Sequence, residues 1–357
     1  MLVELYHRSQ VAANGNSARE FSNRIDPADP TRTRSNVIPA TRFNPARFLS
    51  CLATAWLALV IGCDRSPKTT SAGEQKIEPI RVVASVYALG DLAREVGGKY
   101  VKVESILESG QSLSGFRPNP QVRDRMNRGE LIIAGASMTE PWAVSDSANP
   151  YAPERVVRLD ALPAATTKPA SDRPGISEAG LLWLDPVVVQ QAADELAQRL
   201  NSKRPRHEIY FQHQADALKS QIDELIAHYQ PLFAALPENR RRVIALGGEF
   251  DPLARRLGIQ VVHLVDDPAE RLGEDQIRLL RDTAREFSAG GTSGVVCMLV
   301  RADTPTALLQ DLALRTGMRM VPLDPYGSNS DPARDTLVKL LKYNLQELAQ
   351  GLGANGP

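Results

Sequence analysis

Three carboxylates stand where an α/β chain places ligand-contacting groups. Glu249 and Asp251 follow the apolar run Arg242 to Leu246 across Gly247-Gly248, and Asp324 ends the run that starts at Met318. Loops at the carboxyl ends of strands line the clefts of such folds. If the two loops face one cleft, Asp324 with Glu249 or Asp251 would hold a hard cation through oxygen, more like manganese, magnesium or calcium than zinc. The competing expectation is local. Asp251 and Asp324 each precede a proline, and each would then cap a turn or a helix.

Zinc chemistry finds little support in the side chains present, because a zinc site takes about four ligands from His, Cys, Asp and Glu. Of the five histidines, His7 lies in the polar stretch of residues 1–40, while His207, His213 and His228 lie on one helical stretch at separations of six and fifteen. Neither separation puts two imidazoles on one helix face within a turn. His263 ends an apolar run before Leu264-Val265-Asp266-Asp267 and is expected to be structural. Cys297 sits in Gly294-Val295-Val296-Cys297-Met298-Leu299-Val300, the composition of a buried strand. Hydrolase chemistry is not supported either, since no Ser, His and Asp set with a nucleophile-elbow sequence is present. Gly247-Gly248 and Gly290-Gly291 lack the surroundings of a phosphate loop.

The elements that must position these groups alternate strand and helix. Strands are predicted at Ile80 to Ser85, Val101 to Leu107, Leu131 to Gly135 and Arg155 to Leu159, then at Arg242 to Leu246, Gln260 to Leu264, Gly294 to Val300 and Met318 to Leu323. Helices fall between them, in the second half near 250–257, 271–289, 305–316 and 333–352. This order implies two lobes, each a small, mostly parallel sheet flanked by helices, at 80–205 and 236–357. Between them Phe211, Ala215, Leu218, Ile222, Leu225, Tyr229 and Leu232 alternate in steps of four and three, which predicts one linking helix within 206–235. An intramolecular seam is favoured over a coiled-coil dimer, so a monomer is expected.

Upstream, Arg42 and Arg47 precede the apolar stretch Phe48 to Gly62, too short for a confident membrane span and laid out as a signal peptide. Its end, Val60-Ile61-Gly62-Cys63, resembles a bacterial lipobox, making Cys63 the expected lipidation site. Residues 1–62 are then a leader, and 63–79, rich in Ser, Thr, Lys and Gly, a flexible tether. The leader holds seven Arg and four acidic residues, leaving 35 basic against 38 acidic from Cys63 onward. That balance gives no drive toward nucleic acid.

Three further segments carry a family resemblance: Leu113-Ser114-Gly115-Phe116-Arg117-Pro118-Asn119-Pro120, Leu181-Leu182-Trp183-Leu184-Asp185-Pro186, and Leu246-Gly247-Gly248-Glu249-Phe250 before Leu253-Ala254-Arg255-Arg256-Leu257-Gly258. With residues 80 to 352 in consistent order, they resemble the zinc and manganese solute-binding proteins of bacterial ABC importers. The resemblance implies two α/β lobes on a stiff spine helix, no enzymatic activity, and an exported, lipid-anchored receptor that hands its cargo to a membrane permease. It also implies a cation held by one histidine from each of the three segments and by an acidic residue near the C-terminus. Here Ser114, Leu181 and Gly247 stand at the histidine places, whereas Asp324 matches the acidic one. Asp185 matches a helix cap, and Val300-Arg301-Ala302-Asp303-Thr304-Pro305 departs from the family's Glu-Pro-Gln-like turn. A divalent cation bound by Asp324, with Glu249 beside it, is therefore the expected cargo. The alternative is a metal-free relative acting as an accessory or interaction lipoprotein.

Overall fold

A computed structural model describes residues 78–108, 111, 113, 116–137, 139–146, 149–165, 180–265, 269–289 and 296–354. The leader, Cys63 and Ser114 lie outside the described residues. In the first half β1 (Ile80–Val86) leads into α1 (Tyr87–Gly97), β2 (Val101–Leu107), α2 (Pro120–Arg128), β3 (Leu131–Ala134) and α3 (Pro141–Val144). A two-residue pair, β4 (Ser145–Asp146) with β5 (Asn149–Pro150), precedes β6 (Val156–Arg158). Then come α4 (Pro186–Lys203) and α5 (Glu208–Ala234). The second half runs β7 (Arg242–Leu246), α6 (Asp251–Arg256), β8 (Gln260–Val265), α7 (Glu274–Ala289), β9 (Cys297–Arg301), α8 (Thr306–Thr316), β10 (Arg319–Leu323) and α9 (Leu337–Leu352).

Each half builds a four-stranded parallel sheet of the same topology. The orders are β2-β1-β3-β6 and β10-β9-β7-β8, so in both the first strand lies between the second and the third. Parallel strands covered on both faces must be apolar along their length, as Leu131, Ile132, Ile133 and Ala134 are, all fully buried. The topology places a switch point at the carboxyl ends of β1 and β3 in one sheet and of β7 and β9 in the other, where such folds open a crevice.

The hydrophobic content does not divide into one core per lobe. A single continuous cluster runs from Ile80, Val82 and Leu89 through Phe211, Ile222 and Phe233 to Val243, Leu299, Val321 and Leu345, so α1, α4, α5 and α9 form one layer shared by both sheets. Smaller clusters cover the outer faces, one around Val122 and Met126, others around Leu280, Met298 and Leu312.

The linking helix differs in detail from its predicted seam. Phe211, Ala215, Leu218, Ile222 and Tyr229 are buried, but Leu225 and Leu232 are only partly so, and Phe233 closes the seam instead. A straight helix turns 3.6 residues per turn, so a strict seven-residue stripe drifts around it and the buried line shifts by one position over three heptads. The helix also runs through Pro231 to Ala234. That proline sits in the last turn, and burial of Phe233 helps offset its missing N–H. A second difference bears on the site. The sequence places the last helix near 333–352, yet Thr336 caps it, accepting the Lys339 N–H at 3.3 Å, so residues 324–336 form a loop.

Glu140, beside the carboxyl end of β3, is fully buried and accepts the Gly135 N–H at 3.1 Å. Burial pushes its carboxyl up to about 7, and the backbone N–H groups at Gly135 and Ala136 offset only part of that. A carboxyl raised in the folded state keeps a proton that the unfolded chain has lost, so its stabilising contribution is present in acid and fades as pH rises to about 7. Between pH 5 and 8, urea unfolding should show stability falling by an amount on the order of 3 kcal/mol from this group. Glu140→Gln should flatten that slope.

Candidate functional site

Segments from both halves meet through a few directed bonds. Leu181 is buried, and its N–H donates to the Glu249 carbonyl at 3.0 Å. Gly180 makes that approach possible: a Cβ there would stand 2.4 Å from the Gly248 carbonyl oxygen and 2.3 Å from the Pro252 ring. Trp183, almost fully buried, donates its indole N–H to the Pro325 carbonyl at 2.8 Å. The Leu113 N–H, next to Ser114 in the chain, donates to the Tyr326 hydroxyl at 3.2 Å. Asp185 caps α4 by accepting the Val187 N–H at 2.9 Å, and its two oxygens also take the Arg256 guanidinium at 2.9 and 2.8 Å. The predicted cap is present, and it doubles as a link between the halves.

Asp324 is buried at the end of β10, and α9 fixes its backbone. The Asn344 side-chain carbonyl accepts the Asp324 N–H and its amide donates to the Asp324 carbonyl, both at 2.8 Å. One carboxylate oxygen, Oδ1, accepts the N–H groups of Tyr326 and Gly327 at 2.9 and 3.0 Å. The other, Oδ2, faces the Arg334 guanidinium at 3.1 Å. Arg334 in turn donates through Nε and Nη2 to Asp331 at 2.8 and 2.7 Å.

Glu249 is partly exposed and has its own arginine, with Arg301 Nη1 at 3.6 Å from Oε1. Burial raises its carboxyl above the usual range and Asp303 adds to this, against the opposing pull of Arg301. Arg301 also donates through Nε to Asp303 at 2.9 Å and lies with its guanidinium carbon 5.5 Å from the centre of the Tyr326 ring. The Arg301 hydrogen bond holds Asp303 below its ordinary range. Tyr326 thus joins the two groups, one through its ring and the other through its backbone N–H.

Asp251 does not share this arrangement. Its Oδ2 meets His263 Nε2 at 2.9 Å, both side chains are buried, and the pair ties α6 to β8. His263 is held inside the fold by that contact. Gly247 has φ +86° with open space around it, a backbone that glycine favours and a side-chain-bearing residue resists. Leu181 presents only hydrocarbon. Among the described residues, no group of three or more His, Cys, Asp and Glu side chains could hold a metal ion. Local pattern reading missed Arg256, Arg301 and Arg334. One of them, Arg301, lies in the stretch 300–305 that departs from the family pattern.

A family model described as zinc-uptake complex component A, periplasmic, matches residues 82–351. The chain belongs to that family. Membership makes it an extracytoplasmic solute-binding component of an ABC importer that works with a membrane permease, and not an enzyme. The iron-binding protein YfeA of Yersinia pestis is 24% identical over 256 residues, covering 69% of this chain and 76% of the relative. The manganese ABC transporter substrate-binding lipoprotein PsaA of Streptococcus pneumoniae is 18% identical over 309 residues, 82% of this chain and 94% of the relative. Among solved structures, the manganese-bound periplasmic metal binding protein of Candidatus Liberibacter asiaticus superposes with a TM-score of 0.63 at 14% identity, over 76% of this chain and 99% of that one. The laminin binding protein Lmb of Streptococcus agalactiae gives 0.60 at 21% identity, with the same coverage. These likenesses support the two-sheet fold around a long helix.

Within this family member, the pair of Asp185 and Arg256 is a testable link between the halves. Asp185→Asn keeps an oxygen to cap α4 but loses the charge, and should cost roughly 1–2 kcal/mol in urea unfolding. Asp185→Ala removes the cap as well and should cost about 1 kcal/mol more.

Proposed function

We propose that this receptor is anchored through lipid on Cys63, acts as a monomer, and carries a divalent cation whose principal ligand is Asp324, with Glu249 as the second carboxylate. The observation behind this is a charge imbalance. Among the described residues, the connected group around Tyr326 has four carboxylates (Glu249, Asp303, Asp324 and Asp331) with two guanidinium groups, Arg301 and Arg334. The excess negative charge suits a cation, and donors that are all oxygen suit a hard one. Relatives named for iron and manganese point the same way, toward metals that accept carboxylate ligation more readily than a soft site would.

Zinc should bind far more weakly than in a receptor with three histidines, because Leu181 and Gly247 supply no donor. Equilibrium dialysis against a mild chelator checks this, and a stoichiometric zinc that survives it would overturn the assignment. Manganese should raise the melting temperature of the purified protein, Asp324→Asn should abolish the rise, and His213→Ala on α5 should leave it intact. If manganese, calcium and zinc all give no shift in the unaltered protein, the cation reading fails. Exchange of Cys63→Ala should move the protein from the membrane to the soluble fraction or block its maturation. Unchanged fractionation and unchanged mass would rule out the lipid anchor.

A further inference from the structure

The oxygen of Asp324 that a cation needs is already taken. Oδ1 accepts two backbone N–H groups, and the Asp324 backbone is bracketed by Asn344, so the carboxylate is held in place without help from Arg334. Oδ2 is the atom that remains, and the Arg334 guanidinium sits on it at 3.1 Å. Arg334 also has somewhere else to go. Two of its nitrogens already donate to Asp331, which is more exposed than Asp324, so giving up Asp324 would not leave the guanidinium without a counter-charge. The second candidate ligand repeats the pattern. Glu249 meets Arg301 at 3.6 Å, while Arg301 holds Asp303 by a two-pronged pair at the solvent side.

We infer that Arg334 is a specificity-determining residue of the cleft: an internal cation that occupies Asp324 Oδ2 in the empty receptor and is displaced onto Asp331 when a divalent cargo ion arrives. This rests on Asp324 being a cargo ligand, as proposed above. Displacement selects by charge, because an ion must offset both the lost ion pair and the repulsion of a guanidinium that stays close by. A divalent ion does so more readily than a monovalent one. Arg334 also lowers the affinity for every cation, since the empty site is stabilised and the filled one is not. Its role is therefore opposite to that of an orienting residue, whose loss would weaken binding.

The test is isothermal titration of the full-length protein in detergent with manganese chloride, and separately with zinc chloride. Arg334→Gln should tighten manganese binding by roughly tenfold or more, because a competing charge and a repelling one leave together. Adding Asp324→Asn to that variant should abolish the gain. Asp331→Asn, a change at a half-buried position that keeps an oxygen for the Ala333 N–H, removes the alternative partner and should weaken binding by several-fold. This second variant carries the test if circular dichroism shows Arg334→Gln to be unfolded. Unaltered protein that binds manganese through Asp324, with Arg334→Gln equal or weaker, or with Asp331→Asn equal or tighter, overturns the inference and leaves the cargo assignment standing. No binding of manganese or zinc by any of the proteins overturns the cargo assignment and the inference with it.

Discussion

The seam of α5 is shared between the two sheets, and the rest of the molecule follows from that sharing. Phe211, Ile222 and Phe233 are fully buried in a cluster that also contains Val82 of the first sheet and Val321 of the second. Each such side chain contributes about 1.5–3 kcal/mol by leaving water, whereas a hydrogen bond between the halves, such as that of Trp183 with the Pro325 carbonyl, contributes about 1 kcal/mol net. The core therefore decides how the lobes sit, and the bonds at the cleft only refine it. Opening the lobes by a hinge would have to break that apolar layer, which is far costlier than breaking the few polar links above it.

With the lobes held by a common core, the loops at the strand ends are presented to one another in a fixed register. This explains why glycine appears where two backbones nearly touch, as at Gly180 against Gly248. The charged groups at the cleft find partners near at hand. Asp324, buried at the end of β10, finds Arg334 ten residues on. Separating such a pair leaves a buried charge uncompensated, so a partner with a second carboxylate in reach makes exchange feasible where a lone pair would be locked.

Much of the fold was legible because it is written in local periodicity. Eight principal strands and the helices between them follow from apolar runs and 3.6-residue spacing, and the linking helix follows from its four-three stripe. The misses have separate causes. Leu225 and Leu232 are only partly buried while Phe233 closes the seam, because a seven-residue repeat drifts around a helix of 3.6 residues per turn. Thr336 delays α9, and this keeps Arg334 in the loop with Asp324 instead of on a helix. The site was legible only as positions. The resemblance marked the places of Leu181, Gly247 and Asp324, and the bonds of Leu181 to Glu249 and of Trp183 to Pro325 bring their loops together. The arginines were not legible, because a pair such as Asp185 with Arg256, 71 residues apart, leaves no periodic trace in the chain.

A receptor must still differ between its empty and loaded states if a permease is to tell them apart. In this molecule the shared core makes a large lobe rotation expensive, so the difference has to be local and electrostatic. The groups around Tyr326 are suited to that, because each candidate ligand faces a guanidinium that also touches a second, more exposed carboxylate. Moving positive charge from Asp324 toward Asp331 alters the surface pattern of the loop 327–334 without disturbing α9, whose start is held separately by Thr336 and by the Asp91 carboxylate on the Leu337 N–H. A change of exposed charge at one loop is a signal that a partner surface can read at distances within about 8–10 Å in physiological salt. It needs no closure of the lobes.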